Sequence, residues 1–236
     1  MKLQDYFDRI EVINLPERTD RKKEIIKELE KMGCPIGNNV RIFPAIKPES
    51  LNGFPSKGAY GCFLSHEAVI NQALKDKVQH LLILEDDLLL RRAFFEYGEK
   101  ALGELHEKKW NFLYLGHFLP KKPFPPHIQK LNGSLQCAHF FALNCSILQP
   151  LSEFLKEIRE RPPGHPDGGP MHVDGAYNLF RIKHPECLTW ICYPSLGIQR
   201  SSRSAIAEPK WHDQLPIFRH VVNYFRSIKN WLKSKY

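Results

Sequence analysis

Short apolar runs and longer amphipathic stretches alternate along the first half of the chain. Residues 10–15 (IEVINL), 40–46 (VRIFPAI), 81–84 (LLIL) and 110–116 (WNFLYLG) have the length and composition of strands. Between the first two, Thr19 or Asp20 can cap a helix running through RKKEIIKELEKM, which Gly33 stops. GCFLSHEAVINQALK places Leu64, Ala68 and Asn71 or Gln72 at helical spacing, and another helix is predicted over residues 91–105. This βαβαβαβ order predicts an α/β fold, a mostly parallel sheet with helices on both faces.

The pattern is less regular after Gly116. Residues 137–144 (CAHFFALN) and 187–194 (CLTWICYP) read as strands, 146–160 as a helix, and a short helix is predicted to begin near Val173. Pro120, Pro123, Pro125 and Pro126 mark one loop, and Pro162, Pro163, Pro166 and Pro170 another. Such loops are either binding lids or linkers. The division expected is a domain over residues 1–206 and a tail over 207–236. In the tail Ile217, Val221, Ile228 and Trp231 or Leu232 fall on one helical face, with Arg219, Arg226, Lys229, Lys233 and Lys235 mostly elsewhere. A basic amphipathic helix over residues 216–236 suits an anionic membrane surface, and equally a helix packed on the body.

Composition narrows this picture only a little. At 236 residues and 42% hydrophobic content, one sizeable domain is expected. The start, MKLQDYFDRI, carries acids where a cleaved signal would be apolar, so a cytoplasmic location is expected. The six cysteines form no C-x-x-C pair and read as buried free thiols. A net charge of +8 favours an anionic partner, but the basic residues are scattered, so nucleic acid is not expected.

The chemistry concentrates in HLLILEDDLLL, residues 80–90, where Glu85, Asp86 and Asp87 come directly after the apolar run. Ligands of open α/β sheets bind outside the carboxyl ends of strands, which is where these acids fall. Period-two alternation points Glu85 and Asp87 the same way and Asp86 oppositely. Two carboxylates on one side repel unless a cation such as Mg²⁺ or Mn²⁺ neutralises them. Alternatively, Asp86 and Asp87 cap the next helix. No G-x-G-x-x-G follows the first strand, and there is no P-loop, G-x-S-x-G elbow or H-E-x-x-H helix. A phosphate ligand would therefore need metal or arginine, and INLPERTDR places Arg18 and Arg21 beyond the first strand's carboxyl end.

These segments carry a resemblance. INLPERTDRKKEI, GAYGCFLSHEAVINQAL, LLILEDDLLL, AHFFALNCSILQPL, VDGAYNLF and YPSLGIQRSS, in that order, resemble the motifs of family-25 glycosyltransferases. The resemblance implies a Rossmann-like GT-A fold, an inverting transfer from a nucleotide-diphosphate sugar, and a Mn²⁺-type ion on an acidic motif. It implies that Asp87 coordinates the ion directly, with Glu85 or Asp86 orienting it or reaching the donor ribose. It also places Asn14, Leu15, Arg18, Arg21, Ser65 and His66 around a donor, UDP-sugar in kind. For His66 a core or capping role is the competing reading. Ala138 and His139 depart from the small and tyrosine residues usual in the third motif.

An acceptor hydroxyl needs a carboxylate to take its proton. Asp174, in HVDGAY, is the candidate base, a plain helix cap being its competing role. Gln199, Arg200 and Arg203 could close over the diphosphate. The expected reaction moves a hexose, galactose first, to a glycan acceptor of lipopolysaccharide type, a collagen-type hydroxylysine being the alternative. A metal-dependent phosphoesterase or nuclease, and a sugar-nucleotide-binding module without catalysis, are the readings from other classes.

Overall fold

A computed structural model of the chain describes residues 2–119 and 126–200. The tail, Arg203 and most of the first Pro-rich loop lie outside the described residues. In chain order the elements are α1 (Leu3–Tyr6), β1 (Arg9–Asn14), α2 (Thr19–Lys31), β2 (Val40–Pro44) and α3 (Lys57–Lys75). Then come β3 (His80–Glu85), β4 (Leu88–Leu90), α4 (Arg92–His106), β5 (Phe112–Tyr114) and β6 (His127–Lys130). The chain continues through β7 (Phe140–Asn144), α5 (Cys145–Glu160), α6 (Val173–Lys183), β8 (Thr189–Tyr193) and β9 (Gly197–Gln199).

Seven strands form one sheet in the order β2-β1-β3-β7-β5-β8-β6. The α/β architecture read from the pattern holds. Pairing is parallel at β2-β1-β3 and at β5-β8, whereas β7 enters antiparallel to both β3 and β5. Helices cover both faces. Leu81 and Ile83 join the core under α3, α5 and α6, while Leu82 and Leu84 join the core under α1, α2 and α4. The unbroken LLIL run is thus explained by a strand buried on both sides. Burying each of these side chains stabilises the fold by about 1.5–3 kcal/mol, and this anchors β3 and the acids at its end.

Local chemistry sets several boundaries. α3 starts a turn earlier than its apolar periodicity suggests, because Ser56 caps it by accepting from Ala59 N at 3.0 Å. α2 has Arg18 at its N-cap and no side-chain cap, so neither Thr19 nor Asp20 has that role. The second Pro-rich loop is not a linker. Asp167 accepts from Arg161 through its carbonyl at 2.9 Å and pairs with Lys183 through its carboxylate at 2.8 Å. Gly53, at φ +82°, lies so close to it that a Cβ there would meet Pro163 at 2.8 Å.

The small sheet β4-β9 sits directly after the acids, pairing Leu88 with Gln199. It brings residues 197–200 back over the end of β3. All six cysteines are free thiols, three of them fully buried. Among the described residues, no helix is long and apolar enough to cross a membrane.

Candidate active site

The three acids after Leu84 meet three different surroundings. Asp86 is buried and fully engaged: Oδ2 accepts from Asn14 Nδ2 at 2.8 Å and Oδ1 from Arg21 Nη1 at 2.7 Å. It ties the end of β1 and the first turn of α2 to the turn after β3. Asn14 Nδ2 also approaches the Arg18 carbonyl at 3.3 Å, closing the same corner.

Glu85 faces α3. Its Oε1 lies 3.6 Å from His66 Nε2 and 3.8 Å from Cys62 Sγ, while Oε2 accepts from Gln199 Nε2 at 2.9 Å. Its backbone N–H donates to the His139 carbonyl at 3.0 Å, which seats His139 beside it. Burial pushes the Glu85 carboxyl up, but His66, His139 and Gln199 outweigh that and hold it below its ordinary value.

Asp87 is different again. Its Oδ2 lies 3.6 Å from Arg21 Nη1, and its backbone carbonyl accepts from Arg200 N at 2.6 Å. Oδ1 is buried with no hydrogen-bond partner among the described residues. Burial first, then the neighbouring Glu85, push this carboxyl up to about 7 against the pull of Arg21 and Arg200. A buried carboxylate oxygen without a donor demands either a proton or a cation. A hard divalent ion taking oxygen ligands fits that demand, with Asp87 as its first ligand. The capping alternative is excluded, because α4 is headed by Arg91 and its N-cap makes no side-chain hydrogen bond.

The other expected residues divide. Arg21 joins the acids directly. Arg18 stands at the head of α2, its guanidinium forked on Asp20 at 2.9 and 2.8 Å, within electrostatic reach of Asp86. Leu15, half-buried, accepts the Arg18 N–H at 2.8 Å and shapes that turn. Ser65 works inside the scaffold: its hydroxyl donates to Gly61 O at 2.6 Å and accepts from Ile46 N at 2.8 Å. Gln199 reaches the site through Glu85, whereas the Arg200 guanidinium turns to Glu24 and Glu28 on α2.

His66 is wholly buried. Its Nδ1 sits 3.1 Å from Tyr177 Oη and its ring stacks on Phe141, so the core reading and the site reading both describe it. Asp174 is one turn before Tyr177, on the same face of α6. It is not the cap, which falls on His172, and its Oδ1 accepts from Gly175 N at 2.8 Å. Burial raises the pKa of Cys62, Cys137 and Tyr114, and the Asp174 charge adds to the rise in each, as Glu85 and Asp87 do at Cys62. Asp174 is therefore within electrostatic reach of Cys62, as two of the acids are. Sequence reasoning missed Cys62 and Tyr177. Cys62 stands four residues before His66, a spacing that signals one helix face.

The fold is a Rossmann-like mixed sheet with an acidic turn at the carboxyl end of a central strand. Accordingly, the fold is shared with a solved glycosyltransferase involved in glycosylating the major capsid of PBCV-1. The TM-score is 0.52 at 15% identity, over 83% of this chain and 94% of that one. The chain is related to glycosyltransferase family 25: residues 54–150 match the family described as Glycosyltransferase family 25 (LPS biosynthesis protein). Procollagen galactosyltransferase 1 of Danio rerio is 29% identical over 129 residues, which cover 47% of this chain and 21% of that protein. An inactive glycosyltransferase 25 family member 3 of Homo sapiens is 25% identical over 129 residues, covering 47% of this chain and 22% of its own. The matches thus span about a fifth of these relatives' own lengths, and a relative named inactive stands among them. Turnover has to be argued from the site itself.

Proposed function

We propose that the chain is an inverting hexosyltransferase that moves a hexose, galactose first, from a UDP-sugar to a hydroxyl of a lipopolysaccharide-type glycan. The observation that supports this most directly is the buried Asp87 Oδ1 at the carboxyl end of β3, which has no hydrogen-bond partner among the described residues. Asp87 would hold Mn²⁺ or Mg²⁺, with Glu85 and Gln199 behind it; such an ion, when bound, stabilises charge on a departing diphosphate. Arg21 and Asn14 fix Asp86, so the turn carrying Asp87 is held before any ligand arrives. Arg18 borders the nucleotide. The acceptor oxygen forms its bond to the anomeric carbon as the bond to the phosphate oxygen breaks. Asp174 takes the hydroxyl proton, and the electron pair leaves with the nucleotide diphosphate.

The galactose reading draws on the name of the Danio rerio relative, and the glycan acceptor on the description of the matching family. That same relative favours a second reading, in which hydroxylysine of a collagen-like chain is the acceptor. A cytoplasmic place, with residues 216–236 touching a membrane surface, completes the proposal.

The test is a panel of UDP-sugars with and without Mn²⁺, scored for thermal stabilisation and hydrolysis, then for transfer to glycans and hydroxylysine peptides. Stabilisation by a UDP-hexose that depends on the ion is expected. No response to any UDP-sugar with metal would overturn the reading, and hydrolysis of a generic phosphodiester would favour a phosphoesterase.

A further inference from the structure

Glu85 is approached from α3 by two groups to which the proposed transfer steps give no part. Cys62 and His66, four residues apart on one face of α3, point at the same carboxylate oxygen. Cys62 Sγ, His66 Nε2 and a Glu85 oxygen all lie within 4.8 Å of one another. His66 is fully buried, and its Nε2 has no hydrogen-bond partner among the described residues, since 3.6 Å to Glu85 Oε1 is beyond bonding reach. Tyr177 Oη, at 3.1 Å, engages the other ring nitrogen and fixes the ring with Nε2 toward Glu85 and Cys62. A histidine held at one nitrogen and aimed by the other is how metal-ligating imidazoles are oriented.

The spacing suits a particular ion. Tetrahedral zinc with Zn–N, Zn–O and Zn–S distances of about 2.05, 2.1 and 2.3 Å separates N from O by about 3.4 Å and S from O by about 3.6 Å. The corresponding distances here are 3.6 Å and 3.8 Å, so small side-chain shifts would close the trio on one ion. Thiolate and imidazole favour zinc over the hard, oxygen-seeking ion that suits Asp87.

We propose that Cys62, His66 and Glu85 form a second cation site, selective for Zn²⁺, with Tyr177 as its positioning residue. On binding, the Cys62 thiol gives its proton to solvent and the sulfur becomes an ion ligand. A zinc ion there holds Glu85 toward α3, away from any ion on Asp87. The site does not depend on the transferase reading.

Co²⁺ titrated into the tag-free full chain is the probe, because a thiolate ligand gives it a near-ultraviolet charge-transfer band. The expected result is a saturable band that stoichiometric Zn²⁺ bleaches, lost in Cys62→Ser and retained in Asp87→Asn. Tyr177→Phe should keep the band while weakening Co²⁺ binding about 10–100-fold. Circular dichroism establishes that each variant is folded. Absence of a thiolate band in the folded wild-type chain would overturn the site. A band surviving in folded Cys62→Ser would assign the thiolate to another cysteine and overturn it equally. Because no sugar donor is used, failure here is separable from failure of the transferase assignment.

Discussion

Arg21 Nη1 donates to Asp86 Oδ1 at 2.7 Å across 65 residues of sequence, joining the first turn of α2 to the turn that ends β3. Both side chains are nearly excluded from solvent, 11% and 9% exposed. The pair holds the acidic turn in place and leaves Asp87 as the member of the trio with an oxygen that no described residue bonds.

Removing one partner of a buried ion pair strands the other charge. Arg21→Leu is therefore expected to cost about 3–5 kcal/mol in urea unfolding. Arg21→Leu combined with Asp86→Leu should cost less than the sum of the two single changes, because neither leaves a lone charge. Additive losses would show that the two side chains do not act as a pair.

Asp86 and Asp87 are adjacent yet should respond oppositely to loss of charge. Asp86→Asn turns one of two accepting oxygens into a donor and removes the charge that pairs with Arg21, and is expected to lower the melting temperature of the metal-free protein. Asp87→Asn relieves repulsion from Glu85 and should leave that temperature equal or higher. The same change should abolish stabilisation by Mn²⁺ with UDP. Differential scanning fluorimetry with and without both ligands measures all of these.

Asp174→Asn is expected to bind a donor as the wild type does and to turn over about 10²–10⁴-fold more slowly. Binding isotherms beside single-turnover rates separate the two effects. An unchanged rate would remove Asp174 from the base role.

His117 gives the fold a pH dependence. Its Nε2 lies 2.8 Å from the Cys192 carbonyl and its Nδ1 accepts from Leu119 N at 3.2 Å, which satisfies a neutral ring. Burial pushes its pKa below the ordinary 6.5. The unfolded chain therefore binds more protons in the window between the depressed value and 6.5, so stability rises with pH there. As pH falls through that window the loss approaches about 1.4 kcal/mol per pH unit for this residue. Buried His139 acts in the same direction and Asp87 in the opposite one, so the His117 part is read by difference: between pH 7 and pH 5 the wild type should lose more stability on acidification than His117→Gln does, by up to that slope in chemical denaturation.

Much of the fold was legible along the chain. The LLIL run gave a strand buried on both faces, but its period did not extend to the acids, because β3 ends at Glu85 and Arg21 then lies near both Asp86 and Asp87. Less legible were β4 and β9, three residues each, whose pairing depends on the chain returning after more than 100 residues. The antiparallel entry of β7 was hidden for the same reason, since a strand's own residues do not encode its direction against its neighbours.

The amino-acid order by itself determined that an acidic cluster would emerge at the carboxyl edge of an α/β sheet, because apolar periodicity alone dictates which runs are buried. Only the tertiary structure decided what each acid does. Asp86 met Arg21 and Asn14, Glu85 met His66, Cys62 and Gln199, and Asp87 kept an oxygen bare of any bond from the described residues. Those partners come from β1, α2, α3 and β9, and a carboxylate's role depends on the charges and donors around it in space, not on its neighbours in the chain.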